Sequence, residues 1–209
     1  MPRERYGALA VRSYRALIDP LLLPLRPKVI ALCRQLDSER VLDIACATGA
    51  QCRALGRAGI RTTGLDLSED MIRAARAAGG RNVRYVAGSA YELPFERDTF
   101  DTALLVLALH EHTEEERTVM IEEALRATRP TGHLIVADFA EPRRPRLHLP
   151  WQVIRFIEKT AGPEHHAGFL DYVSRGSLAG MLARHSLQIV RRASSHFGAV
   201  KLAVVRREA

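Results

Sequence analysis

The stretch from Arg40 to Asp66, RVLDIACATGAQCRALGRAGIRTTGLD, limits this chain more than any other feature. Val41-Leu42-Asp43-Ile44-Ala45 is apolar apart from Asp43, and small residues and Gly49 follow at once. This is the pattern of a buried parallel strand that turns sharply into a helix. A helical composition runs from Ala50 to Ala58, Gly59 stops it, and a second β-prone run, Ile60 to Leu65, ends on Asp66. Strand, small-residue turn, helix and second strand with a terminal carboxylate make the front half of a nucleoside-binding βαβ unit. An acid at the tip of the second strand can accept both hydroxyls of a ribose. Asp66 lies 21 residues beyond Ala45, close to the spacing of about 20 that this role requires.

The turn selects among nucleosides. A dinucleotide fingerprint needs Gly-x-Gly-x-x-Gly so that the backbone closes on a pyrophosphate. Here the turn begins Ala45-Cys46-Ala47, and only Gly49 is glycine. Alanine is strained at positive φ, so Ala45 and Ala47 are expected at negative φ, facing a ligand without phosphates. LDIACATG resembles the LDxGxGxG motif of class I S-adenosylmethionine-dependent methyltransferases, with two glycines replaced by alanine. The resemblance implies a Rossmann-like α/β fold with a seven-stranded sheet of order 3-2-1-4-5-7-6. Strand 7 is then antiparallel and helices cover both faces. It implies S-adenosyl-L-methionine as cofactor and methyl transfer to a small molecule.

Further matches follow in order from Tyr14 onward. Ser68, Glu69 and Asp70 suit the start of a helix, and Leu67 and Met71 stand where the family clamps the adenine. Ser89-Ala90 follows strand three, with Ser89 where the family usually carries an acid. Leu93-Pro94-Phe95 and Phe100-Asp101 precede a fourth strand, Thr102 to Leu109, which ends Leu107-Ala108-Leu109-His110-Glu111-His112. By this resemblance Asp43, Ala45, Cys46, Ala47, Gly49, Asp66, Leu67, Met71, Ser89, Ala90 and Leu107 hold the cofactor. His110 is read as a base or polar wall beside the transferring methyl, or else as a structural residue bonded to backbone. No metal is expected, because His110-x-His112 lacks a clear partner acid pair. Thr113 to Glu116 is a capping box opening a helix to about Thr128. A turn at Arg129 to His133 and a fifth strand, Leu134 to Phe139, come next.

The flanks are read as covers in a single domain, 1–209. Residues 1–38 carry a helix from about Arg5 to Ile18, a break at Asp19-Pro20, a second helix from about Pro27 to Leu36, and the apolar run Leu21-Leu22-Leu23-Pro24-Leu25. This segment is expected to act as a lid, with Tyr14 across the cofactor cleft. Residues 140–173 form an insert expected to build the acceptor pocket, with His165, His166, Phe169 and Tyr172 as candidates and His165 taken as catalytic. Leu187 to Ala193 and Ala199 to Val205 read as a terminal hairpin.

Composition narrows the function classes. The net charge of +7 invites a polyanion, but 28 of the 31 cations are arginine, spread along the chain. An arginine-rich surface, with small clusters at Arg143, Arg144 and Arg146, is the expectation, and no nucleic-acid partner. Three cysteines without CxxC spacing indicate a reducing, cytoplasmic setting. No apolar run is long enough for an integral membrane segment, though the Leu21–Leu25 patch suits transient contact with a membrane surface. The acceptor class is lipophilic: a quinone, lipid, phenol or amine. The alternatives are a non-catalytic S-adenosylmethionine-binding module and, against the missing glycines, an NAD-linked oxidoreductase.

Overall fold

The β-prone runs pair edge to edge through their backbone groups, and helices cover the faces of the central ones, which are too apolar to stand in water. The computed structural model describes residues 11, 14–142 and 148–208, without the side chains of residues 17 and 21. The strands are β1 (Arg40–Ile44), β2 (Arg61–Asp66), β3 (Val83–Ala87), β4 (Phe100–Val106), β5 (Thr128–Phe139), β6 (Leu187–Ser195) and β7 (Val200–Arg207). They form one sheet of order β3-β2-β1-β4-β5-β7-β6. The first five run parallel, and β7 is antiparallel to both β5 and β6. The expected topology is therefore the observed one.

The helices are α1 (Arg26–Gln35), α2 (Ala50–Arg57), α3 (Glu69–Ala77), α4 (Glu114–Ala127), α5 (Leu149–Thr160), α6 (Pro163–Ser174) and α7 (Ser177–Arg184). Val41, Leu42, Ile44, Leu104, Leu105, Leu134, Ile135 and Val136 are fully buried at the centre of the core. Both predicted caps form: Ser68 accepts the Met71 N–H, and Thr113 and Glu116 close a reciprocal box at the start of α4.

Two boundaries among the described residues differ from expectation. Residues 1–10, 12 and 13 lie outside the described residues, and with them most of the helix expected from Arg5. Pro20 does not break the segment. A π-helical turn, Tyr14–Ile18, is followed directly by a separate α-turn, Asp19–Leu21, with Pro20 in its first turn, a position that proline tolerates. The strand β5 begins at Thr128, directly after α4, not at Leu134, because Thr128 already pairs with Phe100. The arginine cluster at 143–146 is likewise outside the described residues. At the free edge of the sheet, β6 carries a bulge between Ile189 and Arg191.

Candidate active site

Where strands β1, β2 and β4 end, the chain opens a cavity of about 1560 Å³. A single drug-sized ligand occupies roughly 300–1,000 Å³, so this space suits two molecules side by side.

The end over β1 and β2 is built by the turn after β1. The Cys46 N–H donates to the Leu65 carbonyl at 2.9 Å, and the Ala47 N–H donates to Asp66 Oδ2 at 2.7 Å. These bonds fix the turn with Ala45 at φ 59° and Ala47 at φ 47°. The expectation of negative φ is thus wrong: the strand-to-helix reversal demands left-handed backbone, and alanine is held there at a cost of roughly 1–2 kcal/mol. Gly49, at φ 72°, caps α2, and a Cβ there would lie 2.5 Å from the Tyr85 ring. Asp66 Oδ1 also accepts the Ser68 N–H at 2.9 Å. Its carboxylate therefore ties the turn to the start of α3 as well as facing the cavity.

Of the predicted cofactor residues, Ala45, Ala47, Asp66, Leu67, Met71, Ser89, Ala90 and Leu107 line the cavity. Asp43 and Cys46 line a small cleft beside it. Gly49 lines neither and acts through the cap. Ser89 accepts the Tyr91 N–H at 3.1 Å. The segment before β1 closes this end with Tyr14, Ile18 and Leu22. Asp19 anchors that segment, accepting from Arg26 at 2.8 Å and from the Thr48 hydroxyl at 2.9 Å. The apolar run is split: Leu25 is core, Leu22 faces the cavity and Leu23 faces solvent.

The electrostatics are acidic inside a basic chain. Burial, and then the carboxylates of Asp19, Asp66, Asp43 and Glu111, push the Tyr14 hydroxyl upward. Burial pushes the Asp43 carboxyl up to about 7, against the S–H that Cys52 donates to it at 3.1 Å. Of these carboxylates, Asp66 and Glu111 line the cavity itself, while Asp19 and Asp43 stand in the small cleft beside it. Asp66 and the apolar Leu67 and Met71 stand together at this end of the cavity.

The other end is lined by residues after β4 and from α5 and α6. His110 is buried with its Nδ1 2.9 Å from Asp138 Oδ1, and its Nε2 is 3.5 Å from Glu158 Oε2. His165 Nε2 is 2.6 Å from the same Glu158 oxygen, and its Nδ1 is 2.9 Å from Glu111 Oε2. The two imidazoles are 5.5 Å apart, so the strand-four end and the insert converge as expected. Hydrogen bonds to Glu111 and Glu158 push His165 up to about 10. Burial opposes charge on His110, but the Asp138 carboxylate outweighs it and raises that group too. Near neutral pH His165 is therefore a donor, not a base.

The rest of the insert corrects expectation. Phe169 and Tyr172 are fully buried core residues, and His166 stacks on Phe169 and does not reach the cavity. What fixes the insert is Arg117, wholly buried. It donates to the carbonyls of Leu109 and Gly168 at 3.0 and 3.1 Å, and pairs with Glu114 and Asp171. Glu158 and Asp138 were not singled out in the sequence. Their signals were there: Glu158 falls one heptad after Trp151 on the buried face of α5, and Asp138 interrupts an apolar strand. Leu149, Val153 and Phe156 leave an exposed apolar stripe along α5, and the first two also line the cavity.

A family model described as a methyltransferase domain matches residues 41–132. A demethylmenaquinone methyltransferase of Tropheryma whipplei (strain Twist) is 30% identical over 187 residues, which is 82% of this chain and 77% of that protein. The chain belongs to the class I S-adenosylmethionine-dependent methyltransferases. Other demethylmenaquinone methyltransferases match this methyltransferase over 50–56% of its length, and it covers 40–48% of theirs. Among solved structures, the mitomycin 7-O-methyltransferase MmcR superposes with a TM-score of 0.73 at 19% identity, covering 96% of this chain and 58% of that one. The magnesium protoporphyrin IX methyltransferase of Synechocystis PCC 6803, solved with bound SAH, gives 0.62 at 22%, covering 88% and 82%. At these identities the structures establish the methyltransferase fold alone.

Proposed function

We propose that this methyltransferase moves the methyl of S-adenosylmethionine to a lipophilic, quinone-type small molecule. The observation that carries the reading is one cavity with two unlike ends. An acidic, nucleoside-shaped end lies over β1 and β2, and an apolar compartment with a polar back wall, His110, His165 and Glu158, lies after β4. The names of the relatives support a quinone ring as the class of acceptor.

When bound, S-adenosylmethionine supplies an electrophilic methyl group. The chain's own part is positioning. Asp66 orients the ribose, and the carboxylates near Tyr14 hold the cationic arm. Tyr14, Leu22 and the helices α5 and α6 keep water from the reacting atoms. Holding two reactants in line contributes on the order of 7–11 kcal/mol. His110 and His165 form the wall against the acceptor, with both nitrogens of His165 held by Glu111 and Glu158. Leu149 and Val153 line the apolar entry. The stripe they share with Phe156, beside the exposed Arg155 and Lys159, suits transient contact with an anionic membrane surface. An apolar stripe with sparse cations favours a lipid surface over a nucleic acid.

The test is label transfer from S-adenosylmethionine to a panel of quinols, phospholipid head groups, phenols and amines. Reduced quinones should be methylated most efficiently, and NAD should not compete for the cofactor site in calorimetry. His165→Ala should lower transfer while cofactor affinity stays within about tenfold, a separation of the two ends. Cofactor binding without transfer to any acceptor would identify a non-catalytic binding module instead.

A further inference from the structure

Three carboxylates crowd two imidazoles at the acceptor end, and they do so with a shared pattern. His110 and His165 each turn Nδ1 to a carboxylate, Asp138 and Glu111, both at 2.9 Å. Each then aims Nε2 at one atom, Glu158 Oε2, at 3.5 and 2.6 Å. The orientation of His110 is settled by Asp138. Its oxygens already accept the backbone N–H groups of Leu109, His110 and Phe139, so toward the ring it is an acceptor again. Nδ1 of His110 therefore carries a proton, and its other nitrogen is the one presented to Glu158.

One atom from each of His110, Glu158 and His165 lies within 4.8 Å of the other two. Two imidazole nitrogens and one carboxylate oxygen, with each imidazole backed by a carboxylate through its second nitrogen, are a complete ligand set with its outer support. We propose that His110, Glu158 and His165 hold a divalent transition-metal ion of the Zn²⁺ type, with an open position toward the acceptor compartment. The metal site rests on the methyl-transfer reading only for what that open position faces.

Chemistry narrows the ion. Two nitrogens and one oxygen suit Zn²⁺ and its transition-metal neighbours, whereas Mg²⁺ and Ca²⁺ prefer all-oxygen shells. Charge points the same way. Asp138 and Glu158 are buried beside the pair and Glu111 adds a third negative charge, so a dication here takes over the positive charge that protonated imidazoles otherwise supply. The metal-ligand distances are about 2.0–2.2 Å. Glu158 must therefore swing slightly away from His165, since their 2.6 Å contact is one that a proton bridges. An acceptor oxygen at the open position would be held as its anion and oriented by the ion.

The chain, stripped of metal, should be titrated with Co²⁺ alone and followed by visible absorption, with Zn²⁺ as competitor. One equivalent should bind, give the d–d band of an imidazole-ligated site, and be displaced by Zn²⁺. Glu158→Gln and His110→Ala should weaken Co²⁺ by about tenfold or more. Asp138→Asn, which touches no ion, should weaken it by about 10–100-fold. His133→Ala, far along β5, should bind as the parent does. Absence of the band in the parent chain overturns the site. So does parental affinity in Glu158→Gln at an unchanged melting temperature. Because Glu158→Gln could fail to fold, Zn²⁺ should also raise the parent's melting temperature, and no rise counts against the site. Calorimetry with S-adenosylmethionine on the same samples separates the two readings. Cofactor binding without Co²⁺ binding removes the metal alone, and the reverse removes the methyl-transfer reading.

Discussion

At the scale of single residues, carboxylates decide most of what this chain does. Asp66 holds the Ala47 and Ser68 amides and lines the cavity. Asp66→Ala should weaken S-adenosylmethionine by about 1.5–3 kcal/mol for each charged hydrogen bond lost, read by calorimetry. It should also lower the melting temperature of the ligand-free protein, because the two amides lose their acceptor. A strand-tip acid seen only as a ribose ligand would leave that temperature unmoved, and nothing in residue type or spacing signals the double duty. Asp43 makes a pH prediction. Its folded pKa, about 7, lies above the ordinary value of about 3.9. Between those values the folded chain keeps a proton that the unfolded chain has released. Its contribution to stability is thus full below about pH 4 and is lost as pH rises to about 7. Thermal melts from pH 5 to 8 should show a smaller decline for Asp43→Asn than for the parent.

At the scale of elements, the strands and caps were legible, and the backbone of the turn was not. Period and composition found β1, β2 and β4, and residue chemistry found the caps at Ser68 and Thr113. The φ angles of Ala45 and Ala47 were misjudged because local preference pointed one way and the bonds to Leu65 and Asp66 pulled the other. Phe169 and Tyr172 looked like pocket residues because an aromatic stretch after an insert reads the same whether it faces a ligand or the core. Arg117 is why they face the core. It lashes α6 to the turn after β4, with its guanidinium 5.0 Å from the Tyr172 ring, and Gly168 lets the backbone of α6 approach Glu111 closely. Arg117→Met should destabilise the protein by about 3–5 kcal/mol, since buried partners are left without a donor. Arg117→Lys should recover only part of that, because a point charge cannot fork to four acceptors. Denaturant midpoints measure the loss, and hydrogen exchange should place it in α6.

At the scale of the whole molecule, cationic arginine covers a sheet whose cavity is acidic, and the apolar stripe of α5 sits at its mouth. The stripe and its cations predict that sedimentation with vesicles rich in anionic lipid carries the protein down more than neutral vesicles do. Phe156→Glu should abolish the difference while leaving cofactor affinity unchanged. The sheet order was legible through the resemblance, because the motifs that begin with LDIACATG carry the family's strand order with them. Its free margin tells a separate story. An exposed strand edge can recruit another chain through its unpaired backbone groups, and β6 is such an edge. The bulge between Ile189 and Arg191 bends its line of hydrogen-bonding groups, and Arg191 and Arg192 place like charges where an incoming strand would lie. Two copies meeting at this margin would set those arginines against each other, so β6 resists growth of the sheet from its own side.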